Sequence, residues 1–156
     1  MTLPELPTFN LHTARQYSEA GRLADWLHTY LNTGRWANKA LSDGLKLQTR
    51  WWVGPIELPL ADLERVCGPE ANMEFRVDAA GWEKYVALLM NSFSALENYP
   101  PLIVHYHEGR MTIRDGNHRY EAFHRLKLQS CYVFIWFDSP AMHSGSRFAG
   151  CIPLIT

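Results

Sequence analysis

The sequence predicts a small α/β domain preceded by a helical extension. An amphipathic helical pattern occupies the first part of the chain. A β-hairpin, a glycine turn and a helix are predicted over residues 102–126, and an apolar run of strand length follows at 131–137. At 156 residues, the chain is long enough for one domain.

The composition is typical of a globular protein. Hydrophobic residues make up 47% of the chain and charged residues 20%, which argues against disorder. The 15 basic and 16 acidic residues give a formal net charge of −1, so no global basic field attracts nucleic acid. We expect no membrane partner and no signal peptide, because no run of about 18 apolar residues occurs and the N-terminus lacks a basic segment before an apolar core.

The cysteines Cys67, Cys131 and Cys151 lack the even number and the spacing of a disulfide framework or a zinc site. Reduced thiols are typical of the cytosol, so we expect a cytoplasmic protein. Cys67 and Cys131 are expected to be small buried apolar residues.

The N-terminal part predicts two helices after an irregular lead-in over residues 1–12. A helical pattern starts at Thr13, whose spacing to Gln16 fits a capping box, and its apolar stripe extends over 23–31. A second, shorter helix is predicted at 35–44. We expect the tryptophans to pack in the core rather than to stack on nucleic-acid bases.

The middle of the chain predicts a strand, a short turn and a helix. Residues 50–59 form a candidate strand broken by a Gly-Pro pair, and 60–66 are predicted to form helical turns. Asp78 is suited to cap a helix over 79–93, because its carboxylate can accept a bond from the first helical turn.

The clearest pattern begins at residue 102. Residues 102–106 and 111–114 predict a β-hairpin joined by a four-residue turn that contains glycine. A helix over 118–126 follows, and residues 131–137 predict a buried strand. We expect the chain from Asp138 onward to be loop-like.

The residues 115–119, Asp-Gly-Asn-His-Arg, lie between the hairpin and the helix. A helix start presents unpaired N–H groups and the positive end of the helix dipole, and Gly116 allows close approach of the backbone to an anion. His118 and Arg119 add side-chain donors, and Arg114 adds positive charge. The residues therefore indicate a phosphate site, or alternatively a plain helix cap with solvated basic side chains.

The run 114–128, RDGNHRYEAFHRLKL, resembles the signature of the ParB/sulfiredoxin superfamily, which is a glycine, a variable residue and His-Arg on a strand-to-helix turn. Residues 56–63 resemble the family's opening strand and Leu-rich turn, and the helix at 79–93 resembles its middle helix. The resemblance covers about residues 50–138 and implies a small α/β fold that binds nucleotide phosphates. The predicted division is a helical extension at 1–49, a ParB/sulfiredoxin-like domain at 50–140 and a C-terminal tail at 141–156.

The motif departs from several branches of that superfamily. Sulfiredoxins carry a nucleophilic cysteine where this chain has Asn117, which argues against sulfinic-acid repair. ParB proteins append a helix-turn-helix reader, for which the residues 139–156 are too few. The free-serine-kinase branch is closest in motif, since it has Asp-Gly-His-His-Arg at the turn and a catalytic glutamate in the loop that corresponds to Gly68-Pro69-Glu70. Glu74, four residues further on, is the alternative match.

This resemblance implies a nucleotide-dependent phosphotransferase or nucleotide hydrolase. The turn would bind ATP, ADP or CTP, with Mg²⁺ bridging phosphate oxygens. Glu70 or Glu74 would take the proton of a small hydroxyl-bearing acceptor, although a solvated surface carboxylate is the alternative for both. The candidate catalytic residues are Glu70, Glu74 and His118, and the candidate phosphate-binding residues are Arg76, Arg114, Asp115, Gly116, Asn117, His118 and Arg119.

Two other functions stay open. One is a non-catalytic nucleotide-binding regulatory module or adaptor, whose helical extension covers the pocket, packs on a partner or forms a homodimer face. The other is a ParB-like nuclease or DNA-binding protein, for which the support is a local group of arginines at 110, 114, 119 and 125. His105 and His107 have metal-binding spacing, but no third ligand is evident, so no metal site is predicted.

Overall fold

The computed structural model describes Leu3 and residues 8–156, so Pro4 and Pro7 of the predicted lead-in lie outside the described residues. The predicted α/β class is confirmed, because helices cover a mixed six-stranded sheet and a second, two-stranded sheet lies beside it. The helices are α1 (Leu11–Glu19), α2 (Leu23–Leu31), α3 (Lys39–Leu45), α4 (Ala79–Ser92), α5 (Asn117–Arg125) and α6 (Pro140–Ser144). The strands are β1 (Trp51–Pro59), β2 (Glu64–Arg65), β3 (Cys67–Gly68), β4 (Phe75–Arg76), β5 (Leu102–His107), β6 (Arg110–Asp115), β7 (Ser130–Phe137) and β8 (Leu154–Ile155).

The strands of the large sheet follow the order β2-β6-β5-β7-β1-β8. The hairpin strands β5 and β6 are antiparallel, whereas β5 and β7 run parallel, with α5 in the connection between β6 and β7. The parallel pairing brings the carboxyl ends of β5 and β7 to the same edge of the sheet.

Both faces of the central strands are buried, as the apolar run of β7 predicts. Phe134 and Trp136 face α1 and α2, and the intervening Val133, Ile135 and Phe137 contribute to the core on the opposite face. The stripe of α2 supplies Trp26 and Tyr30, whose rings stack with centroids 4.9 Å apart. The helical extension therefore packs directly on the sheet; the proposed division at residue 49 stays a prediction.

The start of the extension differs from the prediction. The first helix begins at Leu11 rather than Thr13, because Asn10 and Thr13 form the reciprocal capping box. It ends at Glu19, and α2 starts anew at Leu23 after Gly21, which has a φ of +72°. A left-handed residue cannot continue a right-handed helix, so one predicted helix is two.

The second predicted helix, over 35–44, is also divided. Gly34–Trp36 forms a single 3-10 turn, and α3 begins only at Lys39. The Asn38 side chain accepts a hydrogen bond from the backbone N–H of Leu41 and fixes this later start.

Three further corrections concern β1 and its neighbours. The Gly-Pro pair does not break β1, because a register shift between Val53 and Ile56 accommodates it within the pairing to β7. Residues 60–66 contain one 3-10 turn, Leu60–Asp62, followed by β2 rather than a longer helix. The C-terminal tail is not only loop, since α6 forms and β8 pairs with β1.

The strand at 51–59, α4, the hairpin, α5 and β7 match their predicted positions within two residues, whereas β3 and β4 were not predicted. The Asp78 cap accepts from the backbone N–H of Gly81 at 2.8 Å. All three cysteines are free; Cys131 is buried as expected, whereas Cys67 is only half-buried. In the part of the chain that the structure describes, no helix has the length and apolar character needed to span a membrane.

Candidate functional site

Gly116 forms the sharp turn between β6 and α5. Its φ of +98° lies in the left-handed region, and it is the N-cap of α5. A Cβ at this position would contact the Leu102 side chain and lie 2.8 Å from Arg119 Nη2. Only glycine fits, because the position combines positive φ with close neighbours.

Asn117 connects the turn to the neighbouring chain segment. Its buried side-chain oxygen accepts from the backbone N–H groups of Val66 at 3.0 Å and Cys67 at 3.3 Å. Its amide nitrogen donates to the carbonyl of Ile113 at 2.9 Å. Asn117 therefore positions the start of β3 against the turn, a role that the sequence did not indicate.

Arg119 is only 3% exposed and belongs to a buried network with the helical extension. Tyr30 donates its hydroxyl proton to Asp115 Oδ2 at 2.5 Å, and Arg119 Nη2 donates to the Tyr30 oxygen at 2.9 Å. Arg119 and Asp115 also form an ion pair at 3.4 Å. The extension thus supplies a side chain to the very turn that carries the motif.

The environment of this network holds Arg119 in place. Burial raises the pKa of Tyr30 well above its ordinary value, and the Asp115 carboxylate adds to the shift, so Tyr30 stays a donor. The Arg119 guanidinium also lies over the Trp36 ring at 4.6 Å from its centroid. Its buried Nε has no hydrogen-bond partner among the described residues. Both aromatic residues were missed as site residues from the sequence alone. Tyr30 lies in the apolar stripe of α2, and Trp36 was expected to pack in the core like the other tryptophans.

His118 lies next to two aromatic rings of α4. Its ring centroid is 4.4 Å from that of Trp82 and 4.8 Å from that of Tyr85. Burial lowers the pKa of His118, and the positive charges of Arg119 and Arg65 lower it further. This shift favours the neutral imidazole, which can accept a proton.

A cavity of about 1000 Å³ opens between this turn and the residues that lead into and form α3. Four arginines line it, together with aromatic side chains from the extension, from β4, from α4 and from β7. Asp115 is the one carboxylate among the described residues that line the cavity. The arginines are Arg35, Arg50, Arg114 and Arg119, and the aromatic residues are Trp36, Phe75, Tyr85 and Trp136.

The two candidate glutamates lie outside the lining of this cavity and are paired to arginines. Glu74 accepts from Arg114 at 2.8 Å, so it is connected to the cavity through an arginine that lines it. Glu70 accepts from both terminal nitrogens of Arg65, at 2.6 and 3.2 Å. Arg65 lowers the pKa of Glu70, which makes this carboxylate a weaker base.

Arg76 is the one predicted phosphate-binding residue that lies outside this arrangement. It is exposed on β4 and donates to the carbonyl of Pro69 at 3.2 Å. It does not line the cavity. Gly116, Asn117, His118, Arg114, Asp115 and Arg119 all do.

The arginines at 110, 114, 119 and 125 do not form a free basic surface. Arg110 pairs with Glu64, and Arg125 pairs with both Glu83 and Glu121. Arg114 pairs with Glu74, and Arg119 is buried. Because each of the four is paired to a carboxylate, they do not form the open basic surface that a nucleic-acid backbone requires.

Comparison with solved structures finds chains similar to part of this protein. The chain is similar to the crystal structure of sulfiredoxin from Arabidopsis thaliana, with 29% sequence identity and a TM-score of 0.40. The match covers 51% of this chain and 81% of that chain. No family model and no curated protein matches the chain.

Proposed function

We propose that the cavity binds a nucleotide through its phosphates and that the protein is a nucleotide-dependent phosphotransferase or nucleotide hydrolase. The observation that carries the proposal is the imbalance of charge in the lining. Four arginines and one carboxylate, Asp115, line the cavity, and Asp115 already binds Tyr30 and Arg119. Arg50 and Arg114 pair with Asp138 and Glu74 outside the lining, and Arg35 has no carboxylate partner among the described residues. A phosphate would bind Arg35 and compete with Glu74 for Arg114.

The size and the remaining walls of the cavity also suit a nucleotide. Its volume of about 1000 Å³ lies at the upper end of ordinary ligand sites. Phe75 and Tyr85 line the cavity as aromatic side chains on which a base could stack, whereas the Trp36 ring already carries Arg119 and the Trp136 ring carries His105. Phosphates would then lie at the arginine-rich turn and the base against the aromatic side chains.

The start of α5 would hold the phosphates. This nine-residue helix has its N-cap, Gly116, in the cavity wall, with His118 and Arg119 in the first turn. Mg²⁺ would be carried by the phosphate oxygens and water, because Asp115 is occupied by Tyr30 and Arg119. Sulfinic-acid repair is not proposed, since Asn117 has no thiol.

For transfer to an acceptor, Glu74 is better placed than Glu70. Arg114 joins Glu74 to the cavity, whereas Glu70 is held by Arg65, which does not line it. Binding of phosphate to Arg114 would release Glu74 to take a proton from an acceptor hydroxyl. The neutral His118 is the second candidate for proton transfer.

A non-catalytic nucleotide-binding module is the second candidate function. The observation in its favour is that both glutamates are neutralised by arginines, Glu70 by Arg65 and Glu74 by Arg114. In that case nucleotide binding would change the contact between the helical extension and the 115–119 turn. The bound nucleotide would not be hydrolysed or used for phosphate transfer.

Calorimetric titration with ATP, ADP and CTP, each with and without Mg²⁺, tests binding. Removal of one charged contact in Arg35→Ala or Arg114→Ala is expected to weaken affinity about tenfold to a hundredfold, from roughly 1.5–3 kcal/mol per contact. Arg22→Ala is the matched control, because Arg22 pairs with Asp25 on the surface and does not line the cavity. If no nucleotide binds, or if all three variants bind like the wild type, the proposal is wrong.

Turnover distinguishes the two candidate functions. Wild-type protein, Glu74→Gln and Glu70→Gln are incubated with the bound nucleotide and a panel of small hydroxyl acceptors, and products are separated chromatographically. A phosphotransferase or hydrolase yields product that Glu74→Gln reduces more than Glu70→Gln does. Tight binding with no product in any sample would favour the regulatory module.

A further inference from the structure

The side chains of His105, His107 and Asp138 meet at the edge of the sheet where β5 and β7 end. The two strands are parallel, and His105 lies opposite Trp136 in their register. His105 and His107 are two residues apart on one strand and so point to the same face. Asp138, which directly follows β7, supplies the third group that the His-x-His spacing lacked.

The three side chains are close enough to share one ion. One ligand atom from each lies within 4.8 Å of the others, and His105 Nε2 is 2.7 Å from Asp138 Oδ2. Metal–nitrogen and metal–oxygen bonds of about 2.0–2.2 Å place ligand atoms up to roughly 4 Å apart. The half-exposed His107 side chain has room to move the remaining distance.

Neighbouring groups orient two of the three ligands. Arg50 and Trp136 Nε1 both donate to Asp138 Oδ1, which leaves Oδ2 directed at His105. The His105 ring stacks on Trp136 with centroids 4.6 Å apart. Such fixed second partners are typical of metal ligands, because they hold the donor atoms in place before the ion binds.

Charge and space at this position also permit a cation. Arg110 and Arg114, which border the cavity beside the cluster, are paired to Glu64 and Glu74. Arg50 binds the ligand Asp138 itself through Oδ1, and Oδ2 faces His105. A smaller cavity of about 220 Å³ adjoins the cluster and also borders the exposed Glu108. Water can therefore complete the coordination of an ion.

We propose that His105, His107 and Asp138 form a binding site for a divalent transition-metal ion such as Zn²⁺. Two imidazoles and one carboxylate suit zinc, nickel, copper or iron, whereas Mg²⁺ prefers oxygen ligands. The open position left by three protein ligands is typical of reactive rather than purely structural sites. His105 lines both the smaller cavity and the arginine-rich one, so the ion would lie beside the proposed nucleotide site.

Titration of metal-free, nucleotide-free protein with ZnCl₂ by calorimetry tests this site separately from nucleotide binding. We expect one ion per chain in a Cys151→Ser background, which removes the exposed thiol. His107→Ala and Asp138→Asn should each weaken binding at least about tenfold. His12→Ala, at an exposed position of α1, is the matched control and should bind as the background protein does.

NMR of the imidazole resonances provides a second measurement. Zn²⁺ should shift the resonances of His105 and His107 and leave that of His12 unchanged, and MgCl₂ should shift none of the three. The site does not exist if Zn²⁺ fails to bind stoichiometrically. Equal affinity in His107→Ala and His12→Ala, or a shift of His12 alone, would likewise overturn it.

Discussion

The two chain segments that carry the candidate site residues differ in how deeply their charges are buried. At the 115–119 turn, Asp115 and Arg119 are buried, and both form hydrogen bonds with the Tyr30 hydroxyl group. In the loop at 70–74, Glu70 and Glu74 are exposed to solvent. Glu70 pairs with Arg65 and Glu74 pairs with Arg114. A buried charge without its partner is costly, whereas an exposed pair contributes little, so the same chemistry has structural weight only at the turn.

The strongest test of this contrast is Asp115→Ala against Glu74→Ala. Loss of Asp115 leaves Arg119 buried without its carboxylate and should lower the free energy of unfolding by about 3–5 kcal/mol. In Glu74→Ala, water can solvate the partly exposed Arg114, so the free energy of unfolding should fall by less than about 1 kcal/mol. Urea denaturation followed by circular dichroism measures both, and similar losses would contradict the contrast.

Gly116→Ala should have the next largest effect. A Cβ there meets Leu102 and Arg119, and the positive φ adds strain, so overpacking alone should cost about 1–3 kcal/mol. Gly109→Ala is the matched control, because Gly109 also has positive φ but no atom within 4 Å of the added Cβ. Thermal unfolding of the two variants isolates the steric part; equal midpoints would show that the turn can relax around a methyl group.

Acidification should lower the stability of the folded protein through protonation of His118. Its pKa is lowered from 6.5 by burial and by Arg119 and Arg65, so the unfolded chain binds its proton more tightly than the folded one does. The contribution to stability is complete above pH 6.5 and is lost as the pH falls through the lower folded-state pKa. His28 and His105, whose pKa values burial also lowers, add to the same fall.

The pH dependence of unfolding in His118→Asn measures this contribution. The variant should lose less stability on acidification than His12→Asn, in which an exposed histidine is replaced. Parallel curves for the two variants would mean that His118 titrates alike in the folded and unfolded chains.

Glu70→Gln should have the smallest effect on stability. Its carboxylate is nearly half exposed, so solvent screens the pair with Arg65 and the change should be below about 1 kcal/mol. Arg65 retains its bond to the Cys67 carbonyl at 3.0 Å and its pairing with Glu121. A loss comparable to that of Asp115→Ala, measured by the same urea titration, would mean that the loop is as tightly coupled as the turn.

Elements whose signal is local could be predicted from the sequence. The stripe of α2, the cap of α4, the hairpin and the apolar run of β7 all depend on residue spacing within one segment. The prediction failed where a cap or a single backbone position decided the outcome, as at Asn10, Gly21 and Asn38. The pairing of β8 with β1 joins residues about a hundred positions apart, which no local pattern encodes.

The same distinction applies to the site. By itself, the sequence determined the α/β class and the strand–glycine–helix turn, because glycine, strand and helix signals lie within a few consecutive residues. Only the tertiary structure decided that Tyr30 joins Asp115 across 85 positions, that Arg65 and Arg114 pair with Glu70 and Glu74, and that Asp138 completes the histidine pair. These contacts arise from the packing of the extension on the sheet and from the parallel pairing of β5 and β7, and sequence spacing carries no information about either.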